Sequence, residues 1–235
     1  MNMRKGLLLG LGSVAAVLAI GGAALFSGIG VTQQSEALYM TDGPDFQDVQ
    51  DLTKASHAVA HVRIISAGKS YLIPFDAAVT NVAPARKDDS AKGKLGQQTS
   101  GTPAKGLLQN GILQTDYTAE VLDSVRGAGI KKGQHIVVSQ IGGKLASQGA
   151  DGSSKDVIVA NVEHDPIMQV GDEEMLFLNQ DSATGKFFTT GGGQGRFKVQ
   201  SNGTLSPIDV HSSVARLQTG KPLTSLKNAV QAVHD

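Results

Sequence analysis

The chain has 235 residues, with 21 basic and 21 acidic side chains, no cysteine, no tryptophan and 4% aromatics. Balanced charge excludes broad electrostatic binding to nucleic acid or anionic lipid. Lack of cysteine excludes a disulfide framework and lipid attachment through an N-terminal cysteine, so the fold must hold by core burial alone.

The first segment directs the chain to a membrane. Arg4 and Lys5 precede an uncharged stretch from Gly6 to Thr32, and a basic flank before an apolar run stays on the cytoplasmic side. Leu7 to Gly30 as a helix would span roughly 36 Å, enough for a bilayer core of about 30 Å. Ser35-Glu36-Ala37 is a small-x-small cleavage site placed after that run. A retained membrane helix and a cleaved signal peptide both fit, so residues 1–37 are read as anchor or signal with tether. Residues 38–235 are read as an extracytoplasmic domain, membrane-anchored or secreted. Without Arg4, Lys5 and Glu36 that domain carries 19 basic and 20 acidic groups.

Gln33 to Asp45 reads as a polar tether. Phe46, Val49 and Leu52 then recur at helical spacing, predicting a short amphipathic helix. In "HAVAHVRIIS", Ala58, Ala60, Val62 and Ile64 alternate with Val59, His61 and Arg63, the period of a half-buried strand. "SYLIPFDAAVTNV" continues it or pairs with it, with Pro74 forcing an edge or a bulge. Ala83 to Asn110 is rich in Lys, Gly, Gln, Ser, Thr and Pro and reads as a mobile insertion. "TDYTAEVLDSV" places Tyr117, Ala119, Val121 and Val125 on one face, "RGAGIKKGQ" turns, and "HIVVSQI" answers. Gly142 to Lys155 reads as a second loop, and "DVIVANV" as a short strand. Gly171 turns into an apolar strand, Met175 to Leu178, with Phe177 expected in the barrel centre alongside Met175. The Gly191–Gly195 run precedes another strand and reads as a bulge or a close backbone approach. Asn202-Gly203 predicts a type I′ hairpin. Leu223, Leu226, Val230 and Val233 form one face of a terminal helix with Thr224 as N-cap.

Strands at regular spacing, closed by short helices, predict a mainly β chain: a small barrel or sandwich. The order of "DVQDLTKASHAVAHVRII", "YTAEVLDSVRGAGIKKGQHIVVSQIGG", "VGDEEMLFL", "GGGQGRFKV" with "NGTLSPI", and "PLTSLKNAVQAV" resembles a group of uncharacterised exported bacterial proteins. It is also similar to the netrin-like barrel shared with tissue inhibitors of metalloproteinases, an OB-type fold. The similarity covers roughly Phe46 to Val82 and Ile112 to Val233. It implies a small OB/netrin-like β-barrel. It does not imply metalloproteinase inhibition, because those inhibitors use an N-terminal cysteine against zinc and this chain has none.

Catalytic motifs are missing. His57 and His61, on a strand, would stand about 13 Å apart, too far for one ion, so no metal or cofactor is assigned. Neither Ser139 nor Ser147 has the context of a hydrolase nucleophile. Two groups of binding candidates remain. Glu163, His164 and Asp165 set two carboxylates around an imidazole before Pro166, and Gln194 and Arg196 flank the last glycine of the run. The chain is thus expected to be a non-catalytic binding module rather than an enzyme, recognising an unidentified protein or envelope component through loops at the barrel rim. An extracellular protease inhibitor or regulator acting through a loop, and a cell-envelope hydrolase, are the alternatives.

Overall fold

The structure, a computed structural model, describes residues 33–40, 45–74, 96–100, 111–127, 129–148 and 154–234. The apolar N-terminal run lies outside them. Among the described residues no helix is long and apolar enough to cross a membrane.

The chain is mainly β, built on a closed five-stranded barrel with a few short helices. Its staves are β2 (Ala58–Ala67), β5 (Gly111–Arg126), β6 (His135–Ile141), β9 (Glu173–Gln180) and β10 (Phe187–Thr189). β2 lies between β5 and β9, both antiparallel to it, and β6 pairs with the other edge of β5. Three-residue β10 closes the ring, parallel to β6 and antiparallel to β9. Edge groups that would otherwise need water are thereby paired. β3 (Tyr71–Pro74) continues the β2 edge along β5, with Pro74 its last residue.

The alternation in β2 has a direct physical basis. Ala58, Ala60, Val62 and Ile64 enter the barrel with Tyr117, Ala119, Val121, Val138, Leu176 and Leu178. Three of these are alanines, and a five-stranded barrel has room for little more near its axis. The opposite face is buried too. Val59, Met175, Phe177 and Phe197 lie under α1 (Val49–Lys54), α2 (Ser213–Gln218) and α3 (Leu223–Gln231), together with Leu52, Val214, Leu226 and Val230. Phe177 therefore sits outside the barrel wall, with Leu176 and Leu178 inside, the reverse of the register expected. It is nevertheless fully buried, because the helices cover it. Val125 joins this outer group. Register shifts against β2 skip Leu122 and Val125, and each extra residue reverses the face taken by the residues after it.

β11 (Arg196–Val199) continues from β10 along the same edge of β9, and β12 (Leu205–Pro207) pairs with β11. Between Thr189, opposite Leu178, and Arg196, opposite Leu176, six residues stand against Phe177 alone. The glycine run is this enlarged bulge, partly a 3₁₀ turn over Gly192–Gly195. The β11–β12 turn closes with a bond from Gly203 N–H to the Gln200 carbonyl and one from Gln200 N–H to the Thr204 carbonyl. That is a three-residue loop rather than the two-residue type I′ turn expected. Asp48 caps α1, its carboxylate accepting from Asp51 N–H. Thr224 does not cap α3 but lies within its first turn.

Three segments read as loops contain strands. β1 (Gln33–Met40) occupies the expected tether and spans the boundary drawn after Ala37. β4 (Gly96–Ser100) lies in the expected insertion, and β7 (Gly143–Gln148) in the second loop. With β8 (Ser154–Val162) they form a second sheet, ordered β4-β1-β8-β7. Of these, β4, "GQQTS", and β7, "GKLASQ", carry too few apolar residues for an alternation to show.

Gly142 and Gly143 carry the chain from the barrel into this second sheet with φ of 107° and 140°. A Cβ on Gly143 would stand 2.1 Å from Thr115 Oγ1 and 2.3 Å from Ser70 Oγ. We expect Gly143→Ala to cost about 1–3 kcal/mol in urea unfolding. Wild-type stability in that variant would mean the crossing is loosely packed.

Candidate functional site

The five candidate residues come from two loops that the fold packs together. The turn after β8 brings Glu163, His164 and Asp165 against the glycine bulge. A Cβ on Gly193 would stand 2.2 Å from the His164 carbonyl oxygen, so only glycine admits this approach. His164 itself has φ of 59°, the only non-glycine residue with positive φ among those described. The candidates then divide by depth. Asp165 and Arg196 go inward and meet, while Glu163 and His164 remain at the surface, 3.6 Å apart. The Gln194 side chain accepts a bond from Phe46 N–H at 3.1 Å, tying the bulge to the segment before α1.

Arg196 is buried and faces the barrel interior, opposite Leu176. Its Nε and Nη2 donate to the two oxygens of Glu174 at 2.9 and 2.8 Å. Its Nη1 donates to Asp165 Oδ1 at 2.5 Å and to the Pro166 carbonyl at 2.7 Å. From β6, Gln140 Nε2 donates to Asp165 Oδ1 at 3.0 Å and to the Pro166 carbonyl at 3.1 Å, and Gln140 Oε1 accepts from Met168 N–H at 2.9 Å. β10 pairs with only Val138 and Ser139 of β6, so among the described residues that edge of β6 has no strand partner at Gln140. Residues 165–168 fill that gap, held by Gln140 on one side and Arg196 on the other. This polar cluster substitutes for a missing strand pairing. Burial opposes the Arg196 charge, but Glu174 and Asp165 outweigh it and hold the guanidinium above its ordinary range. Burial pushes the Asp165 carboxyl up, with Arg196 and Gln140 restraining the rise. Every charge in the cluster is paired with another, so both side chains are held within the fold.

The surface above this plug carries Glu163, His164 and His211. The His164 and His211 rings are 4.7 Å apart and tilted by 58°. Asp209, between β12 and α2, donates its backbone N–H to the Gly193 carbonyl at 3.3 Å. His211 had no sequence signal, since it lies far from His164 along the chain and only the bulge unites them. Among the described residues no group of three or more His, Asp or Glu is placed to hold a metal.

Two further polar groups lie on the outer wall. Asp116, with its neighbour Ser139 across the β5–β6 pair, accepts from Tyr71 Oη at 2.9 Å and from Ser139 Oγ at 2.5 Å, and pairs with Lys186 at 2.7 Å. Burial works to raise the Asp116 carboxyl, but bonds from Lys186, Ser139 and Tyr71 prevail and hold it below its ordinary value. Ser139 donates to a carboxylate here, the opposite of an activated nucleophile. On β2, His61 Nε2 stands 3.3 Å from Glu173 Oε2 without hydrogen-bond geometry. Burial lowers its pKa, Lys227 of α3 lowers it further, and Glu173 and Asp123 oppose. A histidine held neutral in the fold destabilises it once the unfolded chain can take a proton. We therefore expect stability to fall as pH drops below the ordinary histidine value of about 6.5 and on through the folded value. In His61→Leu, chemical denaturation across that window should show a flatter slope. An unchanged slope would assign the pH dependence to another group.

A cleft of about 540 Å³ opens at the mouth of the barrel beside the plug. Lys69 and Ser70 of the β2–β3 turn, and Gly143 and Lys144 of β7, line it. Ile167, Met168 and Val170 of the segment leading to β9 also line it, as do Thr115 and Tyr117. Ser70 and Thr115 hydroxyls stand 2.8 Å apart, Thr115 donates to the Gly142 carbonyl at 2.8 Å, and Lys144 N–H donates to Ser70 Oγ at 2.9 Å. No protein-family model, no curated protein and no solved structure matches this chain, so fold and function rest on its own residues.

Proposed function

We propose that the chain is an extracytoplasmic, non-catalytic binding module, held at a membrane by its N-terminal segment or released from it. The N-terminal basic flank and apolar run support the location. The strand order supports an OB-type barrel: in chain order the staves run first, second, third, fifth, fourth around the ring, with the third and fifth parallel. Barrels of this type bind through loops and one open face.

The convergence of two loops at the rim is the observation that carries the reading. Glu163, His164 and His211 stand together at the surface, braced from below by the Asp165–Arg196–Glu174 cluster. Exposed polar and aromatic groups on loops fixed by a rigid frame are the usual equipment for recognition. The partner is proposed to be a protein or other envelope component.

Photo-crosslinking tests this. A crosslinking side chain at residue 164 of the full chain, expressed in its native cell, is compared with one at Lys132, in the turn at the other end of the barrel. A discrete adduct from residue 164, weakened by Glu163→Lys and missing from residue 132, is the expected result. Equal adducts from both positions, or none from 164, would overturn the rim as the recognition surface.

A further inference from the structure

The cleft at the barrel mouth is lined by basic and not by acidic side chains, the basic ones being Lys69 and Lys144. Ser70 joins their backbones, since it comes directly after Lys69 and accepts the Lys144 N–H. Both side chains are exposed, and among the described residues neither has an ion pair or a hydrogen bond from its ammonium group. The neighbouring carboxylates are engaged elsewhere: Asp116 with Lys186, Asp165 with Arg196, Asp172 with Lys198. Two cations from adjacent segments thus line one opening, and among the described residues no carboxylate pairs with either.

The lining also carries an apolar group on the segment leading to β9, broken only by Gln169. Ile167 and Met168 belong to it, and Val170 is 58% exposed, among the most exposed large apolar residues described. Tyr117 and Thr115, both buried, complete the lining named here. The volume lies within the range of small-molecule sites, about 300–1,000 Å³. An occupant that satisfies both groups needs an anionic head and an apolar body of several carbons. A free inorganic anion would leave the Ile167–Val170 group wet, and a neutral apolar molecule would leave the lysines unpaired.

We propose that this cleft binds a small amphiphilic anion, with a carboxylate or phosphate head between Lys69 and Lys144 and an alkyl body along Ile167–Val170. The site is separate from the Glu163–His211 surface, so each can fail without the other.

Octanoate and octyl phosphate are the probes, titrated into the full chain with the Ile167 and Met168 methyl resonances as the local readout. Saturable shifts at those methyls with a Kd below about 1 mM are expected for both. Octylammonium and acetate should bind at least tenfold more weakly. Shortening octanoate to hexanoate should cost up to about fourfold per methylene. Lys69→Gln/Lys144→Gln should weaken octanoate at least tenfold with an unchanged Tm, since both residues are exposed. Tighter binding of one head group would identify it as carboxylate or phosphate. Equal binding of octylammonium and octanoate, undiminished binding by the double variant, or no methyl shift up to about 10 mM would each overturn the proposal.

Discussion

Phe177→Ala should lower stability by about 3–5 kcal/mol. Phe177 is fully buried, and its ring meets Phe197 edge to face at 5.9 Å. Around it are Val49 and Leu52 of α1 and Leu226 and Val230 of α3, so its removal opens a cavity where the helices dock on the barrel wall. Leu176→Ala, one residue away, should cost about 2–5 kcal/mol for a different reason, because Leu176 points into the barrel itself. The two variants differ in what is loosened. In hydrogen exchange, Phe177→Ala should speed exchange in α1 and α3 first, and Leu176→Ala in β2 and β5. A shift below about 0.5 kcal/mol for Phe177→Ala, typical of a surface site, would place its ring outside the helix contact. A loss of similar pattern in both variants would mean the two cores unfold as one.

Arg196→Met should cost a comparable 3–5 kcal/mol, because it leaves Glu174 and Asp165 buried without a counter-charge. The pH dependence has a definite sign. Without the guanidinium, the Asp165 carboxyl, already pushed up by burial, should rise further above its unfolded value. The native state then binds more protons than the unfolded chain, so the deficit should shrink as pH falls through the raised value. Arg196→Met/Glu174→Leu should recover part of the loss at neutral pH, since it removes one of the two stranded carboxylates and leaves Asp165. Urea unfolding of the wild type and both variants across the acid range measures all three effects. A neutral-pH cost below about 1 kcal/mol, or a deficit that does not change with pH, would show that residues 165–168 close the barrel without this cluster.

Local pattern and tertiary structure divide this protein between them in a physically simple way. The alternation of Ala58, Ala60, Val62 and Ile64 is visible in the chain because one face of β2 meets a narrow apolar interior while His61 and Arg63 meet charged neighbours. The helix of Val49 and Leu52, the Gly171 turn and the bulge at the glycine run are legible for the same reason: each is set by residues a few positions apart. Met175 to Leu178 is different. All four are buried, two on each face of β9, so the pattern contains no alternation from which inside and outside could be told. Only the helices packed over the outer face show which side is which. The strands β4 and β7 leave no trace because Gln, Ser, Thr, Gly and Lys dominate them and no apolar alternation shows. Asp165 and Arg196 stand out in the chain as charged residues beside a proline and a glycine. Their roles were set elsewhere, by Glu174 and Gln140 arriving from strands that pair far along the sequence. A carboxylate before Pro166 reads as exposed until Gln140, beyond the short β10 pairing, and Arg196 enclose it. Burial is a property of what folds over a residue, and that depends on contacts between segments which no local pattern encodes.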